Sequence, residues 1–235
     1  MKKYSEQLIH IGINFLTLPG VTISNQSCLQ FQQQINLCGL EFSKVEKNPD
    51  NTQIAIVRES PSPLRIFVSV QQPPVAQLTI IAPYPKTTIE LFIYEVEAVL
   101  SAYEATWPAE SRKMVHSDGA IRELLEASGE FTHAFQELWE RRLNQSADSL
   151  KIFGKPIRGG GLRFVLDPLQ TDTDPVQIEV KIESYLQDTK KIFVETIFNW
   201  FAETGIDPNE RINSMDKFVK DHVYKFILGE TNDSK

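Results

Sequence analysis

The chain has 235 residues, 41% hydrophobic and 23% charged, with 24 Lys and Arg against 31 Asp and Glu for a formal charge of −7. That composition excludes a disordered chain, a collagen-like repeat and a small disulfide-stapled scaffold, and the length suits one large domain or two small lobes. The acidic balance argues against a nucleic-acid binder that works through bulk charge.

The charge is uneven. Residues 1–86 hold seven basic and five acidic side chains, so the net acid lies in the remainder. Gln7 to Leu40 and Ile66 to Pro85 contain no Asp, Glu, Lys or Arg. Such stretches suit strands covered on both faces, or a protein–protein interface, where charge is depleted. The two cysteines, Cys28 and Cys38, have neither the number nor the spacing for a zinc site or a disulfide framework and read as free thiols. The apolar stretch after Met1 is broken by His10, Gly12 and Asn14, and no run approaches the roughly 20 apolar residues of a membrane span. A cytoplasmic protein with no membrane contact is the expectation.

In chain order, residues 7–18 alternate as a strand that ends at Pro19-Gly20. Residues 25–38 are assigned to a helix, with Ser24 as cap and Gly39 as stop, although Leu29, Phe31, Ile35 and Leu37 also fit a strand's alternation. A hairpin follows, turning at Asn48-Pro-Asp-Asn51 between residues 40–47 and 53–59. Residues 64–70 and 75–82 add two strands, which gives an antiparallel meander. A helix begins at Thr87, where Thr87 and Glu90 form a capping box, and Glu95, Glu97 and Glu104 are expected to face water. Ile121, Leu124, Leu125, Phe131, Phe135, Leu138, Trp139 and Leu143 predict a second helical region over 118–144, followed by a linker at 145–150.

Beyond the linker the period returns to two. Strands are predicted at 162–166, 178–182 and 191–201. A last helix is capped by Asp207, has Pro208 at its first position and stops at Gly229. Two strands and then a capped helix occur twice, over 64–106 and 176–228. The expected class is α+β, a mainly antiparallel sheet with helices packed on one face and a duplicated β-β-α architecture. Residues 1–146 and 147–235 form two lobes or one continuous domain.

The most distinctive local feature is Arg158-Gly159-Gly160-Gly161-Leu162-Arg163. Consecutive backbone N–H groups can cradle an anion, and Arg can grip phosphate bidentately. Arg158, Gly159, Gly160, Gly161 and Arg163 are therefore the candidate ligand- or phosphate-binding residues. The bland alternative is a bulge or kinked strand entry where another backbone approaches closely. His133 and Glu137, four apart, read as a polar helix face, and Asp118 beside His116 reads as a helix cap. No catalytic motif, metal set or cofactor fingerprint is present in the sequence.

The segment Ala82-Pro-Tyr84-Pro85 leading into a helix, the Gly-Gly-Gly-Leu-Arg-Phe stretch and the closing Met215-Asp-Lys-Phe-Val-Lys-Asp-His222 resemble a sporadically distributed family of prokaryotic proteins of about this length. The resemblance implies a prokaryotic cytosolic protein; the family has no assigned activity and supplies no catalytic residues. The expected function is a non-catalytic interaction or ligand-binding module that self-associates or meets a protein partner. The alternatives are an enzyme or binder acting on an anionic, phosphate-bearing small molecule or nucleotide through the Arg158–Arg163 loop, and RNA or DNA binding on the sheet face through Arg58, Arg65, Arg158 and Arg163. No cofactor is expected.

Overall fold

The computed structural model describes residues 2–70, 74–128, 133–201 and 207–229. Nine strands form one antiparallel sheet: β1 (Lys2–Leu18), β2 (Lys44–Lys47), β3 (Gln53–Arg58), β4 (Leu64–Val70), β5 (Ala76–Pro83), β6 (Lys113–Ser128), β7 (Gly161–Leu166), β8 (Val176–Ser184) and β9 (Lys191–Trp200). Their order is β2-β3-β4-β5-β1-β6-β9-β8-β7. The helices are α1 (Asn25–Leu37), α2 (Ile89–Thr106), α3 (Ala134–Glu137), α4 (Pro208–Phe218) and α5 (Tyr224–Leu228). A π turn, Leu138–Arg142, continues α3, and a second, Val219–Val223, joins α4 to α5.

The class is α+β, with the helices on one face. Ile11, Ile13 and Phe15 of β1, Ile121 of β6 and Val194 and Phe198 of β9 point to that face and are buried. There Thr17 meets Tyr103 Oη at 2.9 Å, Phe198 packs edge-on to Phe218, and Gly119 lies under Met215. The duplication is larger than β-β-α. A central strand, a helix, a meander and a capped helix occur first as β1-α1-β2-β3-β4-β5-α2 and again as β6-α3-β7-β8-β9-α4. The long pair β1·β6 lies at the middle of the sheet, and the meanders fan out on either side in mirrored order. The two halves meet between α2 and β6. Residues 146 and 147 fall in the connection from α3 to β7, the latter opening a 3-10 segment, Ala147–Phe153.

Several local expectations are corrected. Residues 118–128, read as helix, belong to β6; the helix of that region spans only Ala134–Glu137 with its π turn. Ile121, Leu124 and Leu125 mimic helical spacing because Glu123, a carboxylate on the buried face, interrupts the strand's alternation. Phe131 lies outside the described residues. Asp118 caps nothing; from β6 its Oδ2 accepts from Asn14 Nδ2 at 2.8 Å. The cap of α2 is Thr88, whose hydroxyl accepts from Leu91 N–H at 3.4 Å, one residue later than expected. Glu95 does not face water: it is buried against the Arg58 guanidinium. The expectation at 25–38 is met as a helix, and the short side chains of Ser24 and Ser27 cap each other's backbone N–H. Cys28 and Cys38 are free thiols, half-buried against the core.

Candidate functional site

The sheet face opposite the helices carries two polar systems. Around β1 and β5, Gln77 Nε2 and Thr79 Oγ1 both donate to Asn14 Oδ1 at 2.8 Å. Toward β7, charges alternate as a ladder. Arg163 donates to Glu179 at 2.7 Å, Lys181 bridges Glu179 at 3.2 Å and Glu195 at 2.8 Å, and Arg122 meets Glu195 at 2.5 Å. Burial pushes the Glu195 carboxyl up, but hydrogen bonds from Lys181 and Arg122 outweigh it, and the group titrates below its usual range. Beside this ladder, burial and the Arg122 charge lower His10 to about 4. Each ladder cation already faces a carboxylate, so this surface offers phosphates little unpaired positive charge.

The sequence-predicted residues divide between two places. Arg163 belongs to the ladder on the open face. Arg158 lies at the strand's approach, where its Nη2 donates to the Leu186 carbonyl at 3.3 Å. Between them, the Gly160 N–H donates to Ser184 Oγ and the Gly160 carbonyl accepts from Ser184 N–H, both at 2.9 Å. The three glycines have ordinary negative φ; what they supply is room. A Cβ on Gly159 would lie 2.7 Å from Leu186 Cδ2, and one on Gly160 would lie 2.8 Å from Phe135 Cε1. Close approach, and not a nest of free amides, is what this geometry uses, and what approaches Gly159 and Gly160 is side chains, not the backbone expected from the sequence.

That close approach forms one wall of a cleft of about 470 Å³. The opposite wall is α3 and its π turn, through His133, Phe135, Gln136 and Trp139. The roof is the 147–157 stretch, through Leu150, Lys151, Phe153, Pro156 and Ile157. Phe135 and Trp139 are four apart, with ring centroids 6.5 Å apart. The roof is shaped locally: Ser146 caps the 3-10 segment by accepting from Asp148 N–H at 3.1 Å, and Gly154 turns the chain with φ 65°. Such a volume and apolar lining are those of a small-molecule site.

Among the described residues, two polar atoms of side chains that line the cleft are buried without a hydrogen-bond partner, Trp139 Nε1 and His133 Nδ1. His133 Nε2 lies 3.3 Å from the Arg158 carbonyl, which can only accept, so that nitrogen is the donor and Nδ1 holds the unmatched position. Indole N–H is donor only, and a buried donor without an acceptor costs about 1–3 kcal/mol. Lys155 adds positive charge at the rim, and Lys151 there is paired with Asp148 at 2.8 Å. Sequence reasoning reached the glycine wall but missed Trp139, Phe153 and Ile157. The aromatic pair read as core, and the signal that separates them, exposed Ile152, Phe153 and Ile157 beside the glycines, is visible only in the structure.

The fold and this cleft define a duplicated α+β sheet protein with helices on one face and an apolar cleft beside one end of the sheet. No family model and no curated protein matches the chain. Among solved structures it is similar to the crystal structure of DynU16, a protein in the dynemicin biosynthetic locus, at 9% identity over 93% of this chain and 96% of that one. The TM-score is 0.26. No helix among the described residues is long and apolar enough to cross a membrane.

Proposed function

We propose that this chain is a non-catalytic binding module whose cleft takes a small amphipathic molecule with an apolar body and an anionic, hydrogen-bond-accepting head. The observation that carries the reading is the Trp139 side chain, which lines a mostly apolar cleft and whose buried indole N–H has no hydrogen-bond partner among the described residues. The apolar body packs on Phe135, Phe153 and Ile157, and the head accepts from Trp139 with Lys155 at the rim. On the same reading the protein works in a prokaryotic cytoplasm, where Cys28 and Cys38 stay reduced.

The test uses dodecanoate and anilinonaphthalene sulfonate as probes, followed by calorimetry and tryptophan fluorescence. Saturable binding at one site is expected. Trp139→Phe keeps the ring and removes the donor, and its affinity falls roughly tenfold, the worth of one hydrogen bond to a charged acceptor. Absence of saturable binding for both probes, or equal affinity in Trp139→Phe, overturns the proposal.

A further inference from the structure

The two edges of the sheet are unlike. β2, at one end, is only four residues long and reads Lys-Val-Glu-Lys, with Lys44 and Glu46 paired at 2.7 Å. Short charged edges discourage pairing with another chain. β7, at the other end, reads Gly-Leu-Arg-Phe-Val-Leu, and Phe164, Val165 and Leu166 are 39, 55 and 41% exposed. No described strand pairs with its outer side. An apolar, uncovered edge is a template for a further strand.

The backbone fixes which residues present hydrogen-bonding groups outward. The Ser184 N–H bonds the Gly160 carbonyl, and the register continues as Leu162↔Ile182, Phe164↔Val180 and Leu166↔Ile178. Hydrogen-bonded pairs alternate in an antiparallel ladder. The even-numbered residues therefore bond β8, and the N–H and C=O groups of Arg163, Val165 and Asp167 turn to the open edge.

We propose that β7 pairs antiparallel with β7 of a second copy about a two-fold axis at Val165. In that register Val165 opposes the partner's Val165 as a hydrogen-bonded pair. Arg163 opposes the partner's Asp167, and symmetry makes this pair twice. Phe164 opposes the partner's Leu166 on the helix side. Neighbouring axes fit less well: one at Arg163 sets the two arginines against each other, and one at Phe164 leaves Arg163 opposite valine. Pro168, which has no N–H, falls at an inward position and removes nothing from the shared ladder. Arg163 already holds Glu179, and Asp167 already accepts from Gln177 Nε2 at 3.0 Å, so both side chains are oriented before the copies meet. The result is one sheet continuous through two chains.

Sedimentation equilibrium of the whole chain, with circular dichroism as the folding control, tests the proposal. Wild type is expected to dimerise. Val165→Pro removes an outward N–H without touching the bonds to β8, and a folded monomer is expected. Arg163→Glu opposes two acids at each symmetric position and weakens the dimer at least tenfold, whereas Arg163→Glu combined with Asp167→Arg restores it. Within one chain these positions are four strand residues apart, about 13 Å, too far to pair with each other. Asp167→Arg alone sets two arginines together between copies but can hold Glu179 within its own chain, and it too is expected to weaken the dimer, so that rescue by the pair reports contact between copies. A wild-type monomer at sub-millimolar concentration, a larger assembly, a dimer indifferent to Val165→Pro, or failure of the charge swap overturns the proposal.

Discussion

The Tyr224 phenol donates a 2.6 Å hydrogen bond to Glu123 Oε2, tying the last helix to the central strand β6. Both groups are buried under the helical layer. Burial raises the Glu123 carboxyl to about 7, against a partial downward pull from the Tyr224 bond, and burial beside Glu123 pushes the phenol above its ordinary range. The folded state therefore binds a proton at Glu123 that the unfolded chain, with its carboxyl near 4.5, releases earlier. The stability this group contributes is complete below pH 4.5 and is lost as pH rises through 7. Glu123→Gln keeps an acceptor for Tyr224 and removes the ionisation. It should match wild type near pH 4.5 and exceed it above pH 7 by up to about 3 kcal/mol, read from urea midpoints across the pH range.

His10, on the other face of the sheet, has the opposite sign. Its imidazole is held at about 4 against 6.5 in the unfolded chain, so its contribution is present above pH 6.5 and lost as pH falls through 4. The His10 and Glu123 slopes oppose each other between pH 4.5 and 6.5. His10→Asn should therefore steepen the loss of stability with rising pH over that window, and Glu123→Gln should leave a gain. The His10 slope is the smaller, because the ring is only partly shielded from solvent. Identical slopes in wild type and both variants would count against these assignments.

Arg211 anchors α4 to the sheet. Its guanidinium grips Asp174 bidentately at 2.9 and 2.7 Å, also bonds Ser117 Oγ, and lies over the Trp200 ring at 5.1 Å. Lysine keeps the charge but loses the planar fork and the stacking. Arg211→Lys should cost about 2 kcal/mol and Arg211→Ala roughly 3–5 kcal/mol, since the alanine removes both bonds of the guanidinium to Asp174 and the one to Ser117. Chemical denaturation of both variants checks the order; an alanine variant as stable as wild type contradicts it.

Where the physics is local, the sequence is a good guide. The Asp207-Pro208 start and Gly229 stop satisfy helix ends within a few residues, and the meander turns at Asn48–Asn51 are built from side-chain bonds inside the turn. Long-range satisfaction is what hides the rest. Glu123 can sit in a buried strand face because Tyr224 arrives 101 residues later, and Glu95 can turn inward because Arg58 reaches it from β3. Neither partner is adjacent in sequence, so β6 read as a helix and Glu95 read as surface. The candidate site was half legible for the same reason. Three consecutive glycines announce close approach, but the ring that approaches Gly160, Phe135, sits on an element whose boundaries the β6 error had blurred.

Gly160→Ala isolates that close approach. The added methyl would meet Phe135 Cε1 at 2.8 Å, a distance real side chains do not tolerate, so Phe135 or β7 must shift. Overpacking of this kind costs about 1–3 kcal/mol. The ring cannot move freely, because its tilted neighbour Trp139 shares the cleft wall. The displacement should therefore reach the cleft as well as the core. Binding of anilinonaphthalene sulfonate is expected to weaken in Gly160→Ala, while Gly154→Asn, at a left-handed position with nothing within 4 Å of its Cβ, should leave both stability and binding near wild type. Thermal melting and probe titration of the two variants side by side check this: a loss confined to Gly160→Ala supports the contact with Phe135, and a Gly160→Ala variant as stable and as tight-binding as wild type contradicts it.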